Sequence, residues 1–78
     1  MTFKRIELGR RVWEKMRRRG LTKRDVRAVL ALGVPEPVVT LHGERRHGKV
    51  HRLRGRPYLL VYIERQRDIT VVSFHELD

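Results

Sequence analysis

The sequence contains no cysteine, which excludes disulfide bonds, thiolate nucleophiles and zinc sites that use sulfur ligands. No apolar run approaches the roughly 18 residues of a membrane-spanning helix. The first residues, Met1 to Glu7, also lack the apolar stretch that a signal peptide needs. We therefore expect a cytoplasmic protein that neither spans a membrane nor leaves the cell by the general export route.

Acidic residues are scarce, with 9 against 19 lysines and arginines and a formal net charge of +10. Only Lys4, Lys15, Lys23 and Lys49 are lysines, so arginine carries most of the charge. The planar guanidinium group suits phosphate, although a G+C-rich genome or a thermophilic host would also enrich arginine. Either way the net charge predicts an acidic partner, RNA first, with an acidic protein as the alternative.

The chain of 78 residues is long enough for one small core, and 40% of it is hydrophobic. A chain of this size buries only about 60% of the surface that its unfolded form exposes. We therefore expect a single domain over residues 1–78.

Two short helices are predicted in the first half. Apolar residues recur at helical spacing around Trp13, which predicts a helix over residues 10–19 with Trp13 in the core, Gly9 as the N-cap and Gly20 as the terminating glycine. Thr22 and Asp25 resemble a capping box, which predicts a second helix over residues 23–32. Residues 3–8 form either a short strand or a disordered lead-in.

The second half has the residue pattern of strands. Pro35 and Pro37 force an extended chain after the second helix, and the predicted strands cover residues 38–42, 45–53, 58–63 and 69–75. Gly43 and Glu44 suit a two-residue hairpin turn. Helices followed by strands predict an α+β fold, with a two-helix hairpin packed on one face of a 3–4-stranded antiparallel β-meander.

The register of the last hairpin decides which side chains share a face. If Glu64 pairs with Ile69, Tyr62 pairs with Val71, Leu60 with Ser73 and Tyr58 with His75. The core face is then predicted to hold Leu59, Val61, Ile63, Thr70, Val72 and Phe74. A slip of one residue exchanges the faces of the last strand and brings Ile69 and Val71 into the core instead.

Basic residues crowd the N-terminal third and the middle strands. We predict RNA phosphate contacts, whose formation releases counterions, for Arg17, Arg18, Arg19, Arg45, Arg46, Lys49 and Arg56. His47 and His51 would share a strand face, but Lys49 between them disfavours a divalent metal, so we predict no metal site and no cofactor. In the first register the open face of the sheet holds Tyr58, Tyr62, Ser73 and His75, and tyrosine and histidine there could stack a base and transfer a proton. Ordinary cross-strand aromatic packing is the alternative.

The segment from Lys15 to Thr22, followed by Asp25-Val26 and Val29-Leu30, resembles BrnT-type toxins and a related uncharacterised family of small RelE-like proteins. Gly55 to Tyr62 and Ile69 to Ser73 are similar to the final hairpin of that family. The resemblance implies a RelE-like fold, cleavage of messenger RNA and silencing by a cognate antitoxin. Relatives often have His where Arg11 stands and Arg where Lys15 stands, so the resemblance supports the fold better than the activity.

Two functions follow as hypotheses. The first is a toxin-type RNA endonuclease of a toxin–antitoxin pair, which cleaves RNA without metal by attack of the 2′-hydroxyl group. Its catalytic candidates are Arg52 and Arg54 for charge and His51, Tyr62 or His75 for proton transfer. The second is a non-catalytic basic module that binds nucleic acid or an acidic protein, and the lack of a compact acid/base constellation in the sequence favours it.

Overall fold

The computed structural model describes residues 4–40 and 43–78, which form two helices and a five-stranded mixed sheet. The elements in chain order are β1 Arg5–Leu8, α1 Arg10–Arg18, α2 Lys23–Leu32, β2 Val34–Glu36, β3 His47–Leu53, β4 Arg56–Glu64 and β5 Asp68–Glu76. The strand order is β1-β5-β4-β3-β2, and neither helix is long and apolar enough to cross a membrane.

The predicted antiparallel meander accounts for β3, β4 and β5, but the sheet has two further strands. β1 pairs parallel with β5, and β2 pairs antiparallel with β3. The predicted α+β class is confirmed, whereas the prediction of a purely antiparallel sheet of 3–4 strands is wrong. Four residues at the start of the chain are too few for a clear alternating pattern, which is why β1 was predicted only as one of two alternatives.

The end of α1 and the beginning of α2 have the physical causes that the sequence indicates. Gly20 has a φ of +73°, and the backbone N–H of Leu21 donates to the Met16 carbonyl at 2.8 Å, which closes α1 in a Schellman motif. The Thr22 hydroxyl accepts from the Asp25 N–H at 3.3 Å, and the Asp25 carboxylate accepts from the Thr22 N–H at 2.9 Å. This capping box begins α2 at Lys23, as predicted.

The strand predicted over residues 38–42 is wrong for its described part, because residues 38–40 form no strand and residues 41 and 42 lie outside the described ranges. The pairing partner of β3 is instead β2, which contains Pro35. A proline without an N–H is tolerated there because β2 is an edge strand. Gly48, opposite Glu36, permits the close approach, since a Cβ atom would lie 2.7 Å from the Glu36 carbonyl oxygen.

A β-bulge in β5 changes the register of the last hairpin. The pairs Glu64–Ile69 and Tyr62–Val71 form as predicted, but the register shifts between Val61 and Tyr62. Beyond the shift Leu60 pairs with Phe74 and Tyr58 pairs with Glu76, so the predicted pairs Leu60–Ser73 and Tyr58–His75 are wrong. Val72 is the additional residue on β5.

The core lies on one face of the sheet, under both helices. Met16 from α1 and Val26 and Val29 from α2 join a buried cluster on the sheet, which consists of Ile6, Leu53, Tyr58, Leu60, Tyr62, Ile69, Val71 and Phe74, with Leu21 between the helices. The predicted placement of both helices on one face is therefore confirmed. The prediction that Leu59, Val61 and Ile63 form the core is wrong, because β4 is apolar on both faces and its alternation cannot choose between them.

Trp13 is not part of this core. Its exposed fraction is 45%, because α1 packs against the sheet through Val12 and Met16, and Trp13 lies about 100° around the helix from Val12. The prediction that the tryptophan is buried is therefore wrong.

Candidate nucleic-acid interface

A cleft lies between α1 and the C-terminal half of β5. Pairing of β1 with β5 ends at Val71, so β5 has no strand neighbour on that side from Val72 onward. Val72 and the next three residues all line the cleft. Side chains alternate along a strand, so four successive residues border one cleft only where the cleft follows the edge of the strand. We call this feature the α1–β5 cleft.

The other wall of the α1–β5 cleft is one flank of α1. Arg11, Lys15 and Arg19 are spaced four residues apart, so they lie in a row along the helix, and Val12 adds an apolar contact. Arg19 Nη1 donates a hydrogen bond to the Phe74 carbonyl oxygen at 3.0 Å, which joins the end of α1 to β5. Within the described residues neither Arg11 nor Lys15 forms an ion pair.

The cleft combines positive charge with one imidazole side chain. Ser73 and His75 line it, and none of the described residues that line it is acidic. Its volume is about 170 Å³. Sites for whole small molecules usually measure about 300–1,000 Å³, whereas one water molecule takes about 30 Å³. A single phosphate group therefore suits this cleft better than a complete cofactor does.

Several of the predicted site residues meet at the same end of the molecule. Arg56 Nη1 lies 3.3 Å from Glu76 Oε1, next to His75 in the chain. Arg54 Nη1 lies 3.4 Å from Asp25 Oδ1, and Arg52 Nη1 donates to the Gly55 carbonyl at 3.0 Å. These contacts bring the β3–β4 turn beside the C-terminal half of β5. We call this region, which includes the C-terminal turn of α1 with Arg17, Arg18 and Arg19, the basic end.

The remaining predicted residues except His51 line a pocket beside β2 and β3. Arg45, Arg46, Lys49 and Tyr62 line this pocket together with His47. Lys49 Nζ donates to the Leu30 carbonyl at 2.6 Å, so it caps the end of α2. The Nε atom of Arg46 is shielded from solvent and has no hydrogen-bond partner among the described residues.

Tyr62 is a core residue rather than an exposed proton donor. Its exposed fraction is 5%, and its ring stacks on His47 with 5.5 Å between the ring centroids. Burial raises the pKa of the Tyr62 phenol above its ordinary value, and the charge of Glu64 adds to this effect. Tyr62 and His75 do not share a face of the sheet. Tyr62 lies on the helix-covered face, and the bulge at Val72 places His75 on the other face.

His51 lies on the same side of β3 as His47, with Lys49 between them, as the sequence predicts. It pairs with the buried Tyr58 and is half-buried. Within residues 4–40 and 43–78, no group of three histidine or carboxylate side chains has the arrangement of a metal site.

Sequence reasoning did not select Arg11 or Lys15 as site residues. A signal for both was present, because cations at positions 11, 15 and 19 are four residues apart, a spacing that aligns side chains on one flank of a helix. Ser73 was predicted on the open face of the sheet, but its place in the α1–β5 cleft depends on where β1 stops pairing with β5, which no local pattern shows. Comparisons of the chain with protein-family models, curated proteins and solved structures gave no match in any of the three.

Proposed function

We propose that this protein binds RNA at the basic end, with a backbone phosphate in the α1–β5 cleft, and cleaves the RNA there as a toxin-type endonuclease. The observation that carries the proposal is the cleft itself. Arg11, Lys15 and Arg19 converge on it, and His75 also lines it. Among the part of the chain that the structure describes, no acidic side chain lines the cleft. The resemblance to BrnT-type and other RelE-like toxins points to the same activity.

The charges of the cleft favour a phosphate over a neutral ligand. Guanidinium groups form paired hydrogen bonds to phosphate oxygens, and each neutralised phosphate releases counterions. The small volume admits one phosphate and leaves the rest of the ligand outside, which fits a polymer better than a free nucleotide. The neighbouring arginines of the β3–β4 turn, Arg52, Arg54 and Arg56, extend the positive surface along which such a polymer can lie.

Cleavage at this site would be an intramolecular attack of the ribose 2′-hydroxyl group on the adjacent phosphate. The 2′-oxygen forms a bond to phosphorus while the bond from phosphorus to the 5′-oxygen breaks, which leaves a 2′,3′-cyclic phosphate. His75 takes the proton of the 2′-hydroxyl or returns one to the 5′-oxygen, and the cleft cations stabilise the charge that develops on the phosphate. We assign no proton transfer to Tyr62, since it is buried.

A non-catalytic RNA-binding module is the second candidate. The observation in its favour is that His75 is the only imidazole among the described residues that line the cleft, so these residues supply one general acid–base group where this reaction can use two. The two candidates share the phosphate site and differ only in chemistry.

The test is incubation of purified protein with single-stranded RNA in the presence of a metal chelator. We expect products with 2′,3′-cyclic phosphate ends and a loss of about 10²- to 10⁴-fold in His75→Ala, with RNA affinity nearly unchanged. His51→Ala is the matched control, because His51 lies on the opposite face of the sheet, and it should keep cleaving. Growth and global translation are also measured in bacteria that express the protein, because this assay detects an activity that requires the ribosome.

If the protein binds RNA but neither cleaves it nor arrests growth or translation, the binding module replaces the endonuclease as the proposed function. Absence of RNA binding at low salt would contradict both. Equal activity of the wild-type protein and His75→Ala would remove His75 from the mechanism.

A further inference from the structure

Trp13 is more exposed than an apolar side chain of its size usually is. It is the only tryptophan of the chain, and 45% of it is accessible to solvent, whereas the other described aromatic residues, Tyr58, Tyr62 and Phe74, are buried. An exposed indole gives up the apolar burial that usually places tryptophan in a core or an interface. Packing within this chain therefore does not account for the tryptophan at this position.

Arg17 lies against the indole ring. Its Cζ atom is 4.8 Å from the centroid of the Trp13 ring, one helical turn further along α1. This arrangement is a cation–π contact between residues i and i+4. It orders the indole and places a positive charge beside its face, as in aromatic platforms that stack nucleobases.

The position on α1 relates this platform to the α1–β5 cleft. At 100° per residue, Trp13 and Arg17 lie on the flank of α1 opposite to the row of cleft cations that includes Lys15. The outward side between the two flanks carries Arg10, Glu14 and Arg18, all exposed. Glu14 is the one acid of α1 and lies 3.5 Å from the Arg10 Nε atom, so the outward side keeps a net positive charge.

We propose that Trp13, ordered by Arg17, is a base-stacking subsite that selects single-stranded RNA. This inference rests on the proposed function, since it assumes that a phosphate of the same strand enters the α1–β5 cleft. A helix is about 10 Å across including its side chains, so a strand that crosses the outward side of α1 spans the two flanks within a few nucleotides. Bases of a duplex are stacked on each other and cannot reach the indole, whereas an unpaired base can.

The experiment compares three ligands of equal length, roughly 10 nucleotides, which is within the usual site size of single-strand binding folds. They are a single-stranded RNA, the corresponding duplex and an abasic strand, and their affinities are measured by anisotropy of an attached dye. The variants are Trp13→Leu, which removes the aromatic ring, and Trp13→Phe, which keeps one. Because Trp13 is the only tryptophan, its fluorescence in the wild-type protein reports directly on stacking.

We expect the single-stranded RNA to quench the tryptophan fluorescence and Trp13→Leu to weaken its binding by about 5- to 150-fold, the range for loss of one base stack. Trp13→Phe should keep most of the affinity, and the abasic strand should bind the wild-type protein and Trp13→Leu equally. Binding of the single-stranded RNA without a quench of the tryptophan fluorescence would overturn the stacking subsite and leave the phosphate site intact. Absence of binding by all three ligands would overturn the proposed function and the subsite together.

If Trp13→Leu fails to fold, the fluorescence of the wild-type protein and the affinity of Trp13→Phe still decide the question. A quench that is equal for the abasic strand and for the RNA would contradict stacking, because the abasic strand has no base to stack.

Discussion

The phosphate site can be tested by removing its two unpaired cations. The double variant Arg11→Gln/Lys15→Gln deletes two charges from the α1–β5 cleft without removing an ion pair. The matched control is Arg5→Gln/Arg67→Gln, which also lowers the net charge of +10 by two. Arg5 pairs with Asp68 at the start of β5, which is the end of the strand remote from the cleft.

The size of the effect follows from counterion release. On a single strand, the logarithm of the binding constant falls with the logarithm of salt concentration at a slope of about −0.7 per neutralised phosphate. A cleft of about 170 Å³ admits one phosphate, so the cleft variant should lose one such contact and its slope should become shallower by about 0.7. A fourfold rise in salt concentration then narrows the difference in affinity between the two proteins by a factor of about 2.6, because the wild-type protein loses affinity faster.

The assay is RNA affinity at several salt concentrations for the wild-type protein and both double variants. The control should keep the slope of the wild-type protein, because the remote charges act only through the general field, which salt screens over about 10 Å at 0.1 M. Equal slopes for the two double variants would show that the cleft is not a phosphate site. Stability should hardly differ among the three proteins, since exposed substitutions usually change it by less than about 0.5 kcal/mol.

Three further outcomes concern stability. Thr22→Ala removes the capping bond to Asp25 and should lower the free energy of unfolding by about 1 kcal/mol in urea titrations, with Thr22→Ser unchanged. The pKa of Tyr62 is raised above its ordinary value of 10.0, so its stabilising contribution is complete at pH values below 10.0 and is lost as the pH rises through the raised pKa. Tyr62→Phe should therefore flatten the decline of the free energy of unfolding at alkaline pH. The hydrogen bond from Lys4 lowers the pKa of Glu64, so stability should fall as pH drops below 4.5, and less steeply in Glu64→Gln.

Local signals in the sequence predicted the helices well because the causes of helix ends are local. A capping box and a terminating glycine act within one turn, so Thr22 and Gly20 fix the ends of α2 and α1 whatever the rest of the chain does. The strands were harder, since pairing partners lie far apart in the chain. Val34 to Glu36 pairs with β3 through a close approach at Gly48, and a glycine in a strand does not by itself reveal its neighbour.

The candidate site was predictable only in part for the same reason. The basic charge, the arginines of the β3–β4 turn and His75 could all be proposed from the sequence, and whether they act on RNA stays a prediction. The row of Arg11, Lys15 and Arg19 lines a cleft only because β1 ends at Leu8 and α1 runs along the part of the β5 edge that β1 does not pair with. Tyr62 was proposed for chemistry because β4 is apolar on both faces, which hid its place in the core.

The bulge at Val72 is the feature that most separates the predicted hairpin from the observed one. Val71 and Phe74 are three positions apart and both are buried, which strict alternation along a strand does not allow. The additional residue resets the alternation, so Phe74 faces the core and packs edge-on against Tyr58 with 5.9 Å between the ring centroids. Deleting Val72 should restore strict alternation, with Ser73 still opposite Val61 and Phe74 still opposite Leu60, because Val72 is the unpaired residue between Val71 and Ser73.

The deletion should therefore cost little stability, because Val71 and Phe74 both keep their places in the core. Val72→Ala keeps the bulge and shortens only a half-buried side chain, so it measures the contribution of that side chain alone. Phe74→Ala is the opposite control, with an expected loss of about 3–5 kcal/mol for a buried phenylalanine. We expect the urea midpoint of the deletion variant to lie near that of Val72→Ala. A midpoint as low as that of Phe74→Ala would contradict the view that the bulge only accommodates one additional residue.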